Sequence, residues 1–123
     1  MRGFIDLIIL SIISLSFPQT LELADNKLEE MPKSIVLLRN LSLLSIGNNQ
    51  IVSLPNPFAL EKLVTFSAPN NLLKEVPASL KDCKDLEVLD LSGNPLRPEF
   101  WSLVLQLKKL RQLSPQPPTR STH

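Results

Sequence analysis

The sequence predicts an α/β solenoid with a short parallel sheet on its concave side, an irregular or helical convex side, and a closing helix at the C-terminal end. Three observations predict it. One template, LxxLxLxxNxLxxLPxxLxxL, recurs in four stretches that begin at Pro18, Leu41, Leu63 and Leu86, spaced 23, 22 and 23 residues apart. An asparagine follows the strand-like part of every copy, at Asn26, Asn49, Asn71 and Asn94. An apolar residue and a proline then occur together in three of the copies, as Met31-Pro32, Leu54-Pro55 and Val76-Pro77.

Each copy opens on an alternation of anchor and surface residue, the period of a short strand with one face inward. The anchors are Leu21, Leu44, Phe66 and Leu89, then Leu23, Ile46, Ala68 and Leu91. One such strand cannot bury its apolar side alone. Stacked coils can, because each covers the apolar edge of the next and the strands pair into a parallel sheet. The asparagines stand where the chain turns away from the strand, and a carboxamide can satisfy turn groups that no strand partner reaches.

The second half of each copy supplies Leu28, Ile51, Leu73 and Leu96. Proline at 32, 55 and 77 suits a return path without ladder hydrogen bonds, since it lacks an amide donor and fixes φ. Ile35, Leu38, Phe58, Leu80 and Cys83 complete the core of their coils. Cys83 therefore reads as a small buried hydrophobe, and with no second cysteine in the chain no intrachain disulfide or paired-cysteine metal site forms. The fourth copy departs from the template: Pro98-Glu99-Phe100-Trp101 replaces the apolar–proline pair. Pro98 suits a helix start, and Phe100, Leu103, Val104, Leu107 and Leu110 recur at helical spacing, with Lys108, Lys109 and Arg111 at the far end. This segment is expected to close the solenoid as a helix, with Leu110 and Leu113 beginning a stunted fifth strand.

Over roughly residues 18–113 the repeats resemble the leucine-rich-repeat family, whose repeats run about 20–29 residues. The resemblance implies that Asn26, Asn49, Asn71 and Asn94 form a structural ladder from coil to coil. Secreted members usually carry cysteine clusters at both ends, which this chain lacks. Its Met-Pro-Lys-Ser-Ile and Val-Pro-Ala-Ser-Leu turns look like the intracellular subtype found in Ras-pathway scaffolds.

Residues 1–17 form a hydrophobic N-terminal segment open to two readings. Arg2, the apolar run from Leu7 to Phe17 and the small Ser14 and Ser16 resemble a secretory signal, and the run is too short for a transmembrane helix. Alternatively, Ile5, Ile8, Ile12 and Leu15 fall on the apolar positions of a half-repeat that would cover the edge of the first coil. The lone cysteine fits a reducing compartment, and a cytoplasmic protein is expected, a secreted one if residues 1–16 are a signal. Residues 114–123 hold no apolar side chain and three prolines, and are expected to be a disordered tail.

Composition removes several function classes. The formal charge is +1 from 13 basic and 12 acidic residues, so no global field favours nucleic acid. The chain has no tyrosine, and its three glycines make no phosphate-cradling loop. The single histidine, His123, lies in the tail. Only carboxylates remain for catalysis. Glu22 with Asp25 and Glu87 with Asp90 fall on strands whose spacing separates the pairs by roughly 14 Å, too far for concerted work. No catalytic residue, cofactor, metal or small-molecule substrate is expected, and contact with a membrane is not expected either.

A binding surface remains. The strand positions between anchors face the concave side and include Glu22, Asp25, Leu43, Ser45, Val64, Thr65, Ser67, Glu87, Val88 and Asp90. Four of these are acids and none is a base, whereas Lys33, Arg39, Lys62, Lys74, Lys81 and Lys84 fall on turns and the convex side. The sequence thus points to a protein–protein interaction module, an adaptor or scaffold in intracellular signalling, with a secreted or cell-surface recognition protein as the alternative if residues 1–16 are a signal. Its partner would be another protein with a basic or mixed basic-apolar surface docking on the concave face.

Overall fold

The computed structural model describes residues 20–58 and 60–115. The expectations for residues 1–17 and for the tail beyond Pro115 lie outside the described residues. Five strands form one sheet in the order β1-β2-β3-β4-β5: Thr20–Glu22, Leu43–Ser45, Thr65–Ser67, Val88–Asp90 and Gln112–Ser114. All neighbouring pairs are parallel, and Leu21, Leu44, Phe66, Leu89 and Leu113 stand side by side across the sheet. Parallel pairing needs a long crossover, and the convex half of each coil supplies it. The fifth strand is complete enough to pair with β4 and extends through Ser114, one residue past the expected boundary.

The pairing continues past each strand. Leu23 N–H donates to Ser45 O at 2.7 Å, Ile46 to Ser67 O at 2.8 Å, Ala68 to Asp90 O at 2.8 Å and Leu91 to Ser114 O at 2.6 Å. On the convex side, 3-10 turns span Lys33–Leu37 and Ala78–Asp82. Each follows a proline in extended conformation, Pro32 at φ −65° and Pro77 at φ −62°, which fixes the entry without spending an amide donor. Ile35 and Leu80 project inward from these turns and are fully buried.

The template residues make a single continuous core. Leu41, Leu44, Ile46, Ile51, Phe58, Leu63, Phe66 and Leu73 expose nothing to solvent. Leu60 belongs with them although it lies off the template. In the second coil, one residue shorter, its carbonyl accepts from Leu63 N–H at 3.0 Å, as Leu38 O accepts from Leu41 and Cys83 O from Leu86 at 3.1 Å each. A shortened return loop thus keeps its buried position by moving it along the sequence. Phe58 and Phe66 stack across coils with ring centres 5.1 Å apart.

The closing helix is shorter than its spacing predicts. The α-helix, α1, covers only Phe100–Val104, with Phe100 and Leu103 buried. Beyond it, Gln106, Leu107 and Leu110 donate to carbonyls three residues back, at 3.0, 3.0 and 3.3 Å. The chain therefore descends in turns toward β5, leaving Leu105 at 81% exposure while Leu107 stays buried. Periodicity alone does not separate five helical residues followed by turns from one continuous helix, because both place every third or fourth residue inward. No helix among the described residues is long and apolar enough to cross a membrane.

Asparagine side chains tie coil to coil. Asn71 Oδ1 accepts from Ile51 N–H of the preceding coil at 3.0 Å, and its Nδ2 donates to Ile46 O at 3.0 Å and to its own Ala68 O at 3.3 Å. Asn49 repeats this with Leu28 N–H at 3.1 Å and Leu23 O at 3.0 Å, and Asn94 with Leu73 N–H at 3.0 Å and Ala68 O at 2.9 Å. The asparagine ladder implied by the resemblance exists for these three. Asn26 is exposed and, among the described residues, donates to Leu23 O and Ala24 O of its own coil.

Two measurements check this packing. Asn49→Ala and Asn71→Ala remove a buried carboxamide and strand backbone groups on two coils, so each is expected to lower unfolding free energy by about 1–3 kcal/mol. Asn94→Ala is expected to cost less. Its carboxamide makes the same bonds as its counterparts, so Pro95 does not alter the turn, but the residue is only half-buried. Equilibrium denaturant titrations decide. Burial pushes the Cys83 thiol up from 9.0 to about 11, with Asp82 adding to the shift and a backbone hydrogen bond at Leu60 opposing it. The unfolded chain loses this proton first, so the thiol's contribution is intact below pH 9.0 and is lost as pH rises through about 11. Stability measured across that window is expected to fall more steeply for the native chain than for Cys83→Ala.

Candidate interaction surface

The register of the sheet places its outward side chains in rows. Thr20, Leu43, Thr65, Val88 and Gln112 form one, and Glu22, Ser45, Ser67, Asp90 and Ser114 the next. A third, one residue before the strands, holds Ser42, Val64, Glu87 and Arg111, joined where Val64 N–H donates to Ser42 O at 2.8 Å, Glu87 N–H to Val64 O at 2.8 Å and Arg111 N–H to Glu87 O at 2.9 Å. All ten concave residues expected from the sequence lie on this face or its rim. Leu43, Ser45, Val64, Thr65, Ser67, Glu87, Val88 and Asp90 are half-buried, while Glu22 and Asp25 are exposed.

One expectation about this face is corrected: it is not free of bases. Because β5 pairs fully, Arg111 comes alongside Glu87, with Nε 2.9 Å from Oε1. A stunted strand, as the final half-repeat predicts, would leave Arg111 at the end of a helix instead. Two further exposed ion pairs join successive coils, Arg97 with Glu75 at 3.2 Å and Lys109 with Asp85 at 3.0 Å. Exposed pairs of this kind contribute little to stability, but they settle which charges face solvent uncompensated. Asp90 Oδ1 accepts from Ser92 N–H at 3.1 Å and from Ser92 Oγ at 2.7 Å, donors that hold the side chain without cancelling its charge.

A second polar row along one rim was legible but not seen as a unit. Asp25, Asn48 and Asn70 have φ of 61°, 56° and 57°, and the matching residue of the fourth coil, Gly93, has φ 73°. Aspartate, asparagine and glycine tolerate this left-handed backbone best, so their recurrence in register is the signal. Their side chains link: Asn48 Nδ2 donates to Asp25 Oδ1 at 2.8 Å and Asn70 Nδ2 to Asn48 Oδ1 at 2.9 Å. At Gly93 a Cβ would lie 2.1 Å from Asn70 Oδ1. The glycine is there for the neighbour's amide as well as for its own backbone.

The remaining features offer little chemistry. Among the described residues no three His, Cys, Asp or Glu side chains approach closely enough to hold a metal ion. A groove of about 420 Å³ between the third coil and α1 is lined by Lys74, Glu75, Arg97, Phe100, Ser102 and Gln106, and holds the Arg97–Glu75 pair. Cys83 is buried, its Sγ 3.6 Å from Phe58 O, and its raised ionisation keeps it a thiol.

The Leucine Rich Repeat family model matches residues 85–107. Among curated proteins, a MAP kinase phosphatase with leucine-rich repeats from Dictyostelium discoideum is 32% identical over 77 residues, which cover 61% of this chain and 9% of the phosphatase. Among solved structures, an internalin C2 from Listeria monocytogenes is 30% identical with a TM-score of 0.73, covering 84% of this chain and 44% of the internalin. The plant peptide hormone receptor RGFR1 in complex with RGF2 is 28% identical with a TM-score of 0.71, covering 84% of this chain and 17% of the receptor. The chain spans less than half the length of each of these proteins.

The rim makes one measurable demand. Gly93→Ala is expected to destabilise by about 1–3 kcal/mol, from the left-handed backbone and the collision with Asn70. Combining it with Asn70→Ala is expected to recover part of that loss, read from a double-mutant cycle of denaturant melts.

Proposed function

Starting from a chain that is a leucine-rich-repeat protein, we propose that it acts as an adaptor or scaffold in the cytoplasm, in intracellular signalling, binding a protein partner on the concave face of its sheet. The fold is that of a protein–protein interaction module. What supports the concave face as the docking surface is its in-register rows, a half-buried apolar line of Leu43, Thr65 and Val88 beside a polar line that carries Glu22 and Asp90. An interface with an apolar centre and charged margins fits that arrangement. The partner presents a basic or mixed basic-apolar surface.

Binding rather than catalysis is the proposed activity. The face offers hydroxyls and carboxylates, Asp90 beside the Ser92 hydroxyl among them, but among the described residues no histidine and no exposed thiol, and its two outer acids sit on strands roughly 14 Å apart. Similarity to the phosphatase extends over 77 residues, 9% of that protein. Charge complementarity acts mainly on association rate, and buried apolar contact on dissociation. Reversing Glu22 and Asp90 to lysine is therefore expected to slow capture of the partner about tenfold at low ionic strength, with little change in release. Leu43→Ala with Val88→Ala is expected to speed release instead. Lys33→Glu and Lys81→Glu on the convex side are expected to change neither. Surface-plasmon kinetics at two salt concentrations distinguish these outcomes, and sensitivity confined to the convex changes would move the site off the concave face.

A further inference from the structure

We infer that the concave face takes an extended basic segment laid across the strands, two of whose cationic side chains, four residues apart, engage Glu22 and Asp90. The inference rests on the docking face proposed above and names the form of its occupant. It begins with the uncompensated charges. Glu87 is neutralised by Arg111 at 2.9 Å, and Asp25 stands off the row, in the amide rail at the rim. Glu22 and Asp90 remain, in the same row, with Ser45 and Ser67 between them in register.

Three strand spacings of about 4.8 Å separate the two acids, roughly 14 Å in all. An extended chain rises about 3.3–3.4 Å per residue and alternates sides, so positions i and i+4 lie about 13–14 Å apart on one side. A helix rises about 1.5 Å per residue and needs about nine residues to cover the distance. Nine steps of about 100° put the two ends on opposite faces, and the same-face spacings of seven and eleven residues give about 10.5 and 16.5 Å, short of the distance or beyond it. Extended chain matches the distance more closely than a helix does.

The surroundings agree with that choice. The residue midway between the cations faces the Ser45 and Ser67 hydroxyls, which favours a small or hydroxylated side chain there. Aliphatic stems of lysine or arginine can lie along the adjoining line of Leu43, Thr65 and Val88 while their charged ends reach the acids. The reach of those side chains softens the spacing preference to a several-fold effect.

The test uses the full chain and synthetic serine- and threonine-based peptides carrying two lysines with two, three or four residues between them. Titrations at low ionic strength are followed by backbone amide shifts. The expected result is that three intervening residues bind about threefold to tenfold tighter than two or four, since each well-placed exposed ion pair contributes modestly. The shifts are expected at Leu43–Ser45 and Thr65–Ser67. Glu22→Gln combined with Asp90→Asn is expected to erase the preference without altering the melting curve. Equal binding of all three spacings with shifts still on the sheet would overturn this inference and leave the docking face standing. A stapled helical peptide with both lysines on one side that binds as tightly would overturn it too. Shifts confined to convex residues, or no binding of any peptide, would overturn both readings.

Discussion

A buried carboxamide that donates and accepts across a coil boundary is the interaction on which the rest of this molecule depends. Asn49, Asn71 and Asn94 each take an N–H from the previous coil and give protons to carbonyls of both coils. No buried side-chain nitrogen or oxygen among the described residues lacks a partner. Only a side chain with both functions answers such a site: a carboxylate offers no donors, and an apolar residue would leave backbone groups unsatisfied in a low-dielectric interior. Because three successive boundaries use the same exchange, those coils lock in one register, and that register lines up the outward rows.

Much of this was legible in the sequence because a repeat fold states each requirement several times. The anchors, the asparagines and the burial of Cys83 follow from period and position alone. What escaped the reading lies where the period fails. Leu60 substitutes for a template residue in the one coil that is a residue short, so counting from the template passes over it. The turns after Val104 keep the helical spacing of apolar residues without the helix. Arg111 faces Glu87 only because β5 pairs completely, a tertiary outcome that a final half-repeat does not announce. The rim row of Asp25, Asn48, Asn70 and Gly93 was visible as residue types, but their mutual contacts are a property of coils side by side.

Function on this scaffold is a matter of presentation. Three-residue strands held in one sheet leave their outward side chains little freedom beyond rotamer choice, so a partner meets a surface that is already organised and loses less entropy on binding. The ion pair of Arg111 with Glu87 reduces the acidity that simple counting assigns to the face. It concentrates what remains at two places rather than spreading it, which turns a general preference for basic partners into a preference about distance.

The contact between Gly47 and Pro69 has a consequence for how such a protein changes over time. A Cβ at position 47 would lie 2.8 Å from Pro69 Cδ, so the third coil fits against the second only because the second has a glycine there. Ala24 stands at the equivalent place in the first coil, and Pro69 set against it would meet the methyl group that Gly47 omits. The coils look interchangeable and are not. Duplication, deletion or shuffling of single repeats would bring together edges that never adapted to one another, so the order of coils is inherited as a block even while each coil's surface remains free to vary.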